Sequence, residues 1–299
     1  MPTRIFMVAH AEERCNTLLD IFSTQCLVLE MSDIPQNSAE PPPILGLTVT
    51  RTADGRGIRK RVRLGREGTI ETVAGYPSGL TWWFREVYPI SLDIDAFCDF
   101  LGTISTRADA CLVTGTPCGD IPLDQKARRI KHEHRSGDQP TMEECSASWL
   151  PIDCDKIPIP IRLDPVDPEP AIAEVVKLLG EPFTRSSYVW QLSASATPGA
   201  ERVSVRLFFL VDQSIDNQTR KAWAKAHNGK IGIKLIDEAL YNAVQPIYTA
   251  APHFEGHDPF PERIGVVYGE HELLPWGSIP QQEQVESTFR GTYSRGTVH

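Results

Sequence analysis

Asp153 and Asp155 stand two residues apart in the run Ser148-Trp149-Leu150-Pro151-Ile152-Asp153-Cys154-Asp155. Strand side chains alternate between faces, so both carboxylates project together while Leu150, Ile152 and Cys154 offer the apolar surface that seats the strand on a core. Two hard oxygen donors at that spacing suit Mg²⁺ or Mn²⁺. Any Asp-x-Asp also arises by chance, and a solvated strand end followed by a turn at residues 156–160 would read the same way. A second Asp-x-Asp, Leu92-Asp93-Ile94-Asp95, precedes Phe97, Phe100 and Leu101 at helical spacing, so helix capping is its expected role.

Cationic side chains that could hold phosphates cluster twice. Between Arg51 and Arg66 seven basic residues are interrupted by Asp54 alone. There Ile58, Val62 and Leu64 alternate with Arg59, Arg61 and Arg63, so a strand would line up three guanidinium groups on one face, as a phosphate-tracking surface requires. The second cluster, from Lys126 through Arg128 and Arg129 to Arg135, directly precedes the Asp-x-Asp strand. An ordinary solvated face is the competing reading of both. Trp82-Trp83-Phe84 is a candidate base-stacking group, though three adjacent aromatics more often divide between core and interface.

Composition bounds the rest. The chain has 299 residues, 41% hydrophobic and 23% charged, which fits a globular protein and not a disordered tail. Seven cysteines with no Cys-x-x-Cys pair argue against a disulfide framework and a zinc ribbon, so a reducing cytoplasm is expected. No apolar run approaches a membrane span, and the first residues carry acids and His instead of a basic-then-apolar leader. With a net charge of -9 the molecule is not a polycation that coats nucleic acid.

The elements that must position the carboxylates follow in order. Asp167-Pro168 starts a helix whose stripe is Ile172, Val175, Val176 and Leu179, closed by Gly180. Tyr188, Trp190 and Leu192 alternate with Val189, Gln191 and Ser193 in a strand; Thr197-Pro198-Gly199 turns; Val203 to Val211 is a second strand. A helix over 216–226 ends at Asn228-Gly229, and β-like segments lie at 231–236 and 245–250. The expected class is α+β: a split βαβ, ferredoxin-like antiparallel sheet of order 4-1-3-2 with one face free for a site, joined to an N-terminal α/β part. In that sheet Asp153 and Asp155 meet Ser193, Ser195 and the half of the third strand that carries Arg206, whereas Asp212 falls roughly 20 Å further along.

These runs, together with Val205-Arg206-Leu207-Phe208-Phe209-Leu210 and Asp237 ahead of Gln245-Pro246-Ile247-Tyr248-Thr249-Ala250-Ala251-Pro252, resemble the catalytic core of archaeo-eukaryotic-type primases. In particular they resemble the primase-polymerases of phages, plasmids and integrated mobile elements. The resemblance covers residues 146 to about 265 and is looser before them. It implies an RRM-like catalytic part over 146–269, a template-binding part of the same domain over 1–145, and a tail or linker over 270–299. It implies nucleotidyl transfer on single-stranded DNA with two Mg²⁺ or Mn²⁺ held by Asp153, Asp155 and Asp237, and with nucleoside triphosphate held by Arg206, Ser193 and Ser195. Arg59, Arg61, Arg63, Arg128 and Arg129 are the candidate template contacts, with Arg263 as a further phosphate ligand. The expected setting is the cytoplasm of a bacterial or archaeal host, with a replicative helicase as candidate partner and no membrane. One departure stands out: none of the eight His lies between Asp155 and Asp212, so the family's triphosphate-contacting His is missing and Arg206 occupies its place. Two alternatives remain open. One is a binding module without chemistry. The other is an initiator nuclease using His132-Glu133-His134 with Tyr241 or Tyr248, although Glu133 replaces the apolar residue such a pair normally encloses.

Overall fold

The computed structural model describes residues 43–279 apart from Glu67; the expectations for 1–42 and for 280–299 lie outside them. In chain order the strands and α-helices are β1 (Ile44–Thr52), β2 (Arg61–Leu64), β3 (Ile70–Ala74), β4 (Trp83–Ser91), α1 (Ile94–Thr106), β5 (Ala110–Val113), β6 (Gly115–Pro117), β7 (Met142–Glu144), β8 (Ala147–Pro158), α2 (Glu169–Leu179), β9 (Tyr188–Leu192), β10 (Arg202–Ile215), α3 (Asn217–Ile231), β11 (His253–Glu255) and β12 (Ile264–Val267). The class is α+β, built on small, mainly antiparallel sheets.

The site is organised by a four-stranded sheet of order β12-β9-β10-β8 in which every neighbour pair is antiparallel. β8 and β9 therefore run parallel, joined through α2, with β10 between them. Alternation decides what each face does. Leu150, Ile152 and Cys154, with Val205, Leu207 and Phe209, point to the helical side, where α2 packs Ile172, Val175 and Val176 on them. α3 adds Trp223, whose ring stacks on Phe183 with centroids 5.4 Å apart. Asp216 caps α3 by accepting from the Thr219 N–H at 2.8 Å. The helix runs past Gly229 to Ile231, because Gly232 is the residue that adopts the left-handed cap at φ 72°.

The opposite face was expected to be free, and only half of it is. Trp149, Val189, Phe208 and Leu210 pack with Leu45, Leu47, Phe97 and Leu101 from β1 and α1, and a second sheet of order β4-β1-β5 carries the N-terminal share of that core. Residues before and after position 145 thus share one hydrophobic cluster. Asp93 caps α1 by accepting from the Ala96 N–H at 2.8 Å, the structural role its spacing suggested.

Neither 231–236 nor 245–250 is a strand. The fourth strand is β12, and it lies against β9 instead of the first strand, so the sheet departs from the expected 4-1-3-2 order. Two local features account for this. Gly265 sits opposite Trp190, and a Cβ there would come within 2.4 Å of the indole, so only glycine lets the strands close. The outer edge of β8 is meanwhile covered by the segment after α3, where the Asp237 N–H donates to the Asp153 carbonyl at 3.2 Å. Residues 270–279, expected to begin the tail, are part of the fold. Leu274 N–H donates to Leu210 O at 2.7 Å, and Trp276 meets Trp223 edge to face. Among the described residues no helix is long and apolar enough to cross a membrane.

Candidate functional site

A single rung of the sheet sets the centre of the site. Arg206 on β10 lies opposite Asp153 of β8 on one side and Gln191 of β9 on the other. Its side chain is 9% exposed, and its Nε sits 3.1 Å from a carboxylate oxygen of Asp153. Nη1 donates to Gln191 Oε1 at 3.3 Å and to the Tyr248 carbonyl, while the Gln191 amide donates to Thr249 O at 2.7 Å. Burial disfavours the guanidinium charge, yet Asp153, with Tyr76 and Asp155 behind it, more than offsets this and raises the Arg206 pKa.

The next rung is irregular. Cys154 pairs with Val205 and Ile157 with Val203, so Asp155 and Lys156 together oppose Ser204. This is a β-bulge, with Lys156 at φ 54°. Ser204 holds the bulge from both sides: its Oγ accepts from the Lys156 N–H at 2.9 Å and donates to Asp155 at 2.8 Å. Ser195 donates to the same carboxylate oxygen at 3.3 Å, and its hydroxyl lies 2.8 Å from that of Ser193. Asp153 and Asp155 share a face as alternation requires, and the bulge ends that alternation immediately after them.

Asp237 reaches the site by a route the sequence reading did not contain. It belongs to no strand; it caps the short 3₁₀ turn Glu238–Tyr241 and is tied by backbone to the edge of β8. Its carboxylate pairs with Lys234 at 3.2 Å. Asp153, Asp155, Asp237, Arg206, Ser193 and Ser195 all line one open cleft of about 510 Å³. Sequence reasoning missed Lys60, Tyr76, Lys234 and Gln245 in the same wall, and named Tyr248 there only as an alternative nucleophile. Lys60 had a signal: it has the parity of Ile58 and Val62, opposite to the arginines singled out. Its ammonium lies 5.0 Å from the Tyr76 ring centre, and that ring stacks on Tyr248 at 3.7 Å. Burial pushes the Tyr76 phenol up, against the pull of Arg206. A second chamber of about 370 Å³ continues past this ridge over β9 and β12, toward Ala251, Pro252 and Ile264.

Charge in the cleft is balanced, with Lys60, Arg206 and Lys234 facing Asp153, Asp155 and Asp237. Among the described residues no three His, Cys, Asp or Glu side chains converge as a ready metal cluster. Each acid is turned to its own partner: Asp153 to Arg206, Asp155 to the serines, Asp237 to Lys234. In donor chemistry the three fit Mg²⁺ or Mn²⁺, being hard oxygens on one cleft wall with Asp237 and Asp153 joined through their backbones.

The candidate template residues fall elsewhere. Arg61 and Arg63 are exposed on β2 and paired with Glu255 and Glu71; Arg59 precedes the strand, half-buried. Arg128 pairs with Asp138 at 2.8 Å. Arg129 is a structural clamp, donating to Thr50 Oγ1 at 3.0 Å with its guanidinium 4.1 Å over the Trp83 ring. Arg263 is likewise fixed. It is bidentate to Asp258, lies between Phe254 and Phe260, and donates to the Ser193 carbonyl at 2.9 Å, so it props the serine turn from below. Asp212 sits at the far end of β10, accepting from the Trp276 N–H at 3.1 Å. Tyr241 is fully buried, its hydroxyl donating to Pro151 O at 2.9 Å, and is closed off from acting as a nucleophile. His134 turns to Ser136 in a surface loop outside the cleft.

Comparison of the chain with protein-family models, with curated proteins and with solved structures finds no match to any of them.

Proposed function

We propose that this chain is a nucleotidyltransferase of primase-polymerase type, joining nucleotides on a single-stranded DNA template. The observation that carries the reading is convergence. The three acids, the arginine and the two serines that the resemblance grouped come from four separate segments and line one cleft. Under this reading the β8–α2–β9 crossover around β10 is the split βαβ core of an RRM-like part, with the fourth strand relocated.

Asp153, Asp155 and Asp237 would hold Mg²⁺ or Mn²⁺, which when bound would lower the pKa of an attacking 3′-hydroxyl and stabilise charge on the α-phosphate and leaving pyrophosphate. The chain's own groups do the rest. Arg206 offers a planar fork to the triphosphate, aided by Lys60 at the cleft wall. Ser195 and Ser204 fix the Asp155 carboxylate through hydrogen bonds, while Arg263 fixes the backbone of Ser193. A replicative helicase is the partner this activity would call for. The reading without chemistry draws on one observation, that Asp153 and Asp237 are each neutralised by a cation of the chain itself.

The test is incorporation of labelled nucleotides on single-stranded DNA with Mn²⁺ or Mg²⁺, for wild type and for the Asp153→Asn/Asp155→Asn variant. Wild type should extend and the double variant should not, with DNA binding retained. Equal extension by a folded double variant overturns the site. A wild type that binds DNA and never extends leaves the binding module.

A further inference from the structure

Of the aromatics Trp82-Trp83-Phe84, the fold buries one and presents another. Trp83 is 4% exposed in a cluster with Ile58 and Cys111, whereas Trp82 is 44% exposed. Arg128 stands 5.6 Å and Lys126 5.9 Å from the centre of the Trp82 ring. Beside them runs a groove of about 300 Å³ whose wall includes Thr81, Arg128, Arg129, His134 and Val244, and no residue lining it is acidic. In a chain of net charge -9 that is a local reversal of sign. The groove leads toward the acidic cleft: Val244 precedes Gln245 of the cleft wall, and Tyr248, also of that wall, packs against the cluster holding Trp83.

We propose that this groove and the Trp82 surface beside it form a docking track for single-stranded nucleic acid, with a base stacked on Trp82 and the flanking phosphates on Lys126 and on Arg128 at the groove wall. An exposed indole beside cations matches the two parts of a nucleotide, since every base has a face to stack and every phosphate a charge to pair. Arg128 has to exchange Asp138 for a phosphate, a step made easy by partial exposure of both side chains. Arg129 contributes field more than contact, being held against Trp83. The proposal names the path of the strand in the function proposed above, and depends on that function only for the identity of the strand.

The experiment is fluorescence anisotropy with labelled oligodeoxythymidylate over a salt series, comparing wild type with Trp82→Ala, Trp82→Phe and the Lys126→Ala/Arg128→Ala pair. Inorganic polyphosphate serves as a competitor that carries charge without bases. Loss of one stacked base should weaken binding about 5- to 150-fold, with the salt slope unchanged and polyphosphate affinity intact. Trp82→Phe should retain most of the affinity, and the lysine–arginine pair should flatten the slope by about 1 to 2. Trp82→Ala binding like wild type overturns the proposal, as does an equal loss of oligonucleotide and polyphosphate binding, which would show a damaged surface instead of a lost stack. The outcome separates from that of the proposed function. Trp82-dependent binding without nucleotide incorporation sinks the activity alone, and incorporation with Trp82-independent binding sinks the track alone.

Discussion

Replacing Arg206 by Ala should move two affinities in opposite directions. The side chain is buried and spends its donors on Asp153, Gln191 and Tyr248 O, so its loss unpairs Asp153 and leaves two acceptors and a void. Breaking a buried pair costs about 3–5 kcal/mol, but Asp153 is 27% exposed and water recovers part of that, leaving roughly 2–3 kcal/mol. For a folded body of this size each kcal/mol is worth about 2–4 °C, so Tm should fall by roughly 5–10 °C. The triphosphate loses a charge-assisted contact of about 1.5–3 kcal/mol, a Kd rise of roughly 10- to 150-fold. The divalent cation gains. With Arg206 present, a metal must compete with a guanidinium already on Asp153, an attraction of about 1–5 kcal/mol at this separation, and the low end of that range, about 1–2 kcal/mol, suits a cleft open to water. Mn²⁺ should therefore bind the variant about 5- to 30-fold more tightly. Titration calorimetry of Mn²⁺ and of a non-hydrolysable nucleoside triphosphate, each alone, reads both terms on a variant whose fold is checked by circular dichroism. Arg206→Lys should fall between the two, since an ammonium keeps the charge and loses the fork. Weaker or unchanged Mn²⁺ binding in folded Arg206→Ala would refute the idea that Arg206 and a metal share Asp153.

Replacing Arg59, Arg61 and Arg63 by Ala should cost less than one surface cation each, because Arg61 and Arg63 already face Glu255 and Glu71; a salt-slope change below about 2 is expected, and loss of all oligonucleotide binding would contradict it. Glu86 gives a pH dependence. Burial pushes its carboxyl up, but hydrogen bonds from Arg107, Tyr88 and Arg51 more than offset this and lower it from 4.5 to about 2. A depressed carboxylate stabilises the fold above its unfolded pKa, so this contribution should be complete above pH 4.5 and lost as pH falls through about 2. Glu86→Gln should remove about 1–2 kcal/mol at neutral pH and flatten the acid limb of the stability curve, read by urea melts across pH.

Legibility of the fold followed the strength of local pattern. Both helices beside the main sheet were readable because Ile172, Val175, Val176 and Leu179 repeat at helical spacing and Asp216 is a capping residue. The β8 and β9 strands were legible from alternation and β10 from its apolar run, which set Asp153 beside the half of β10 that carries Arg206; the register that pairs the two residues comes from the structure. The fourth strand did not. Ile231 to Ile236 and Gln245 to Ala250 are apolar enough for strands, yet the first finishes a helix and turns, and the second runs as an irregular segment with a single bridge from Ile247 to Leu112. What selects Ile264–Val267 is Gly265 against the Trp190 ring, a contact between residues far apart in sequence that no window could show.

For the site, the division is between what a strand dictates and what loops deliver. Asp153, Asp155, Arg206, Gln191 and Ser193 all follow from period two on one face, and the chain could be read to that depth unaided. Asp237, Lys234, Tyr76 and Tyr248 arrive on irregular segments whose positions are set by tertiary bonds, such as the Asp237 N–H on the edge of β8. The basic strand shows the limit of counting charge. Arg59, Arg61 and Arg63 draw attention as a row, but parity sends Arg61 and Arg63 to solvent, and Lys60 is the cation of this segment that reaches the cleft. Arg263 shows the converse, since a cation beside the Ser193–Ser195 turn proves to be fully employed by Asp258 and two phenyl rings. A charge becomes a candidate contact only once its existing partners are known. By that criterion Arg206 is the pivotal residue, because its carboxylate partner is itself a candidate metal ligand and the same cleft can release it by binding a cation.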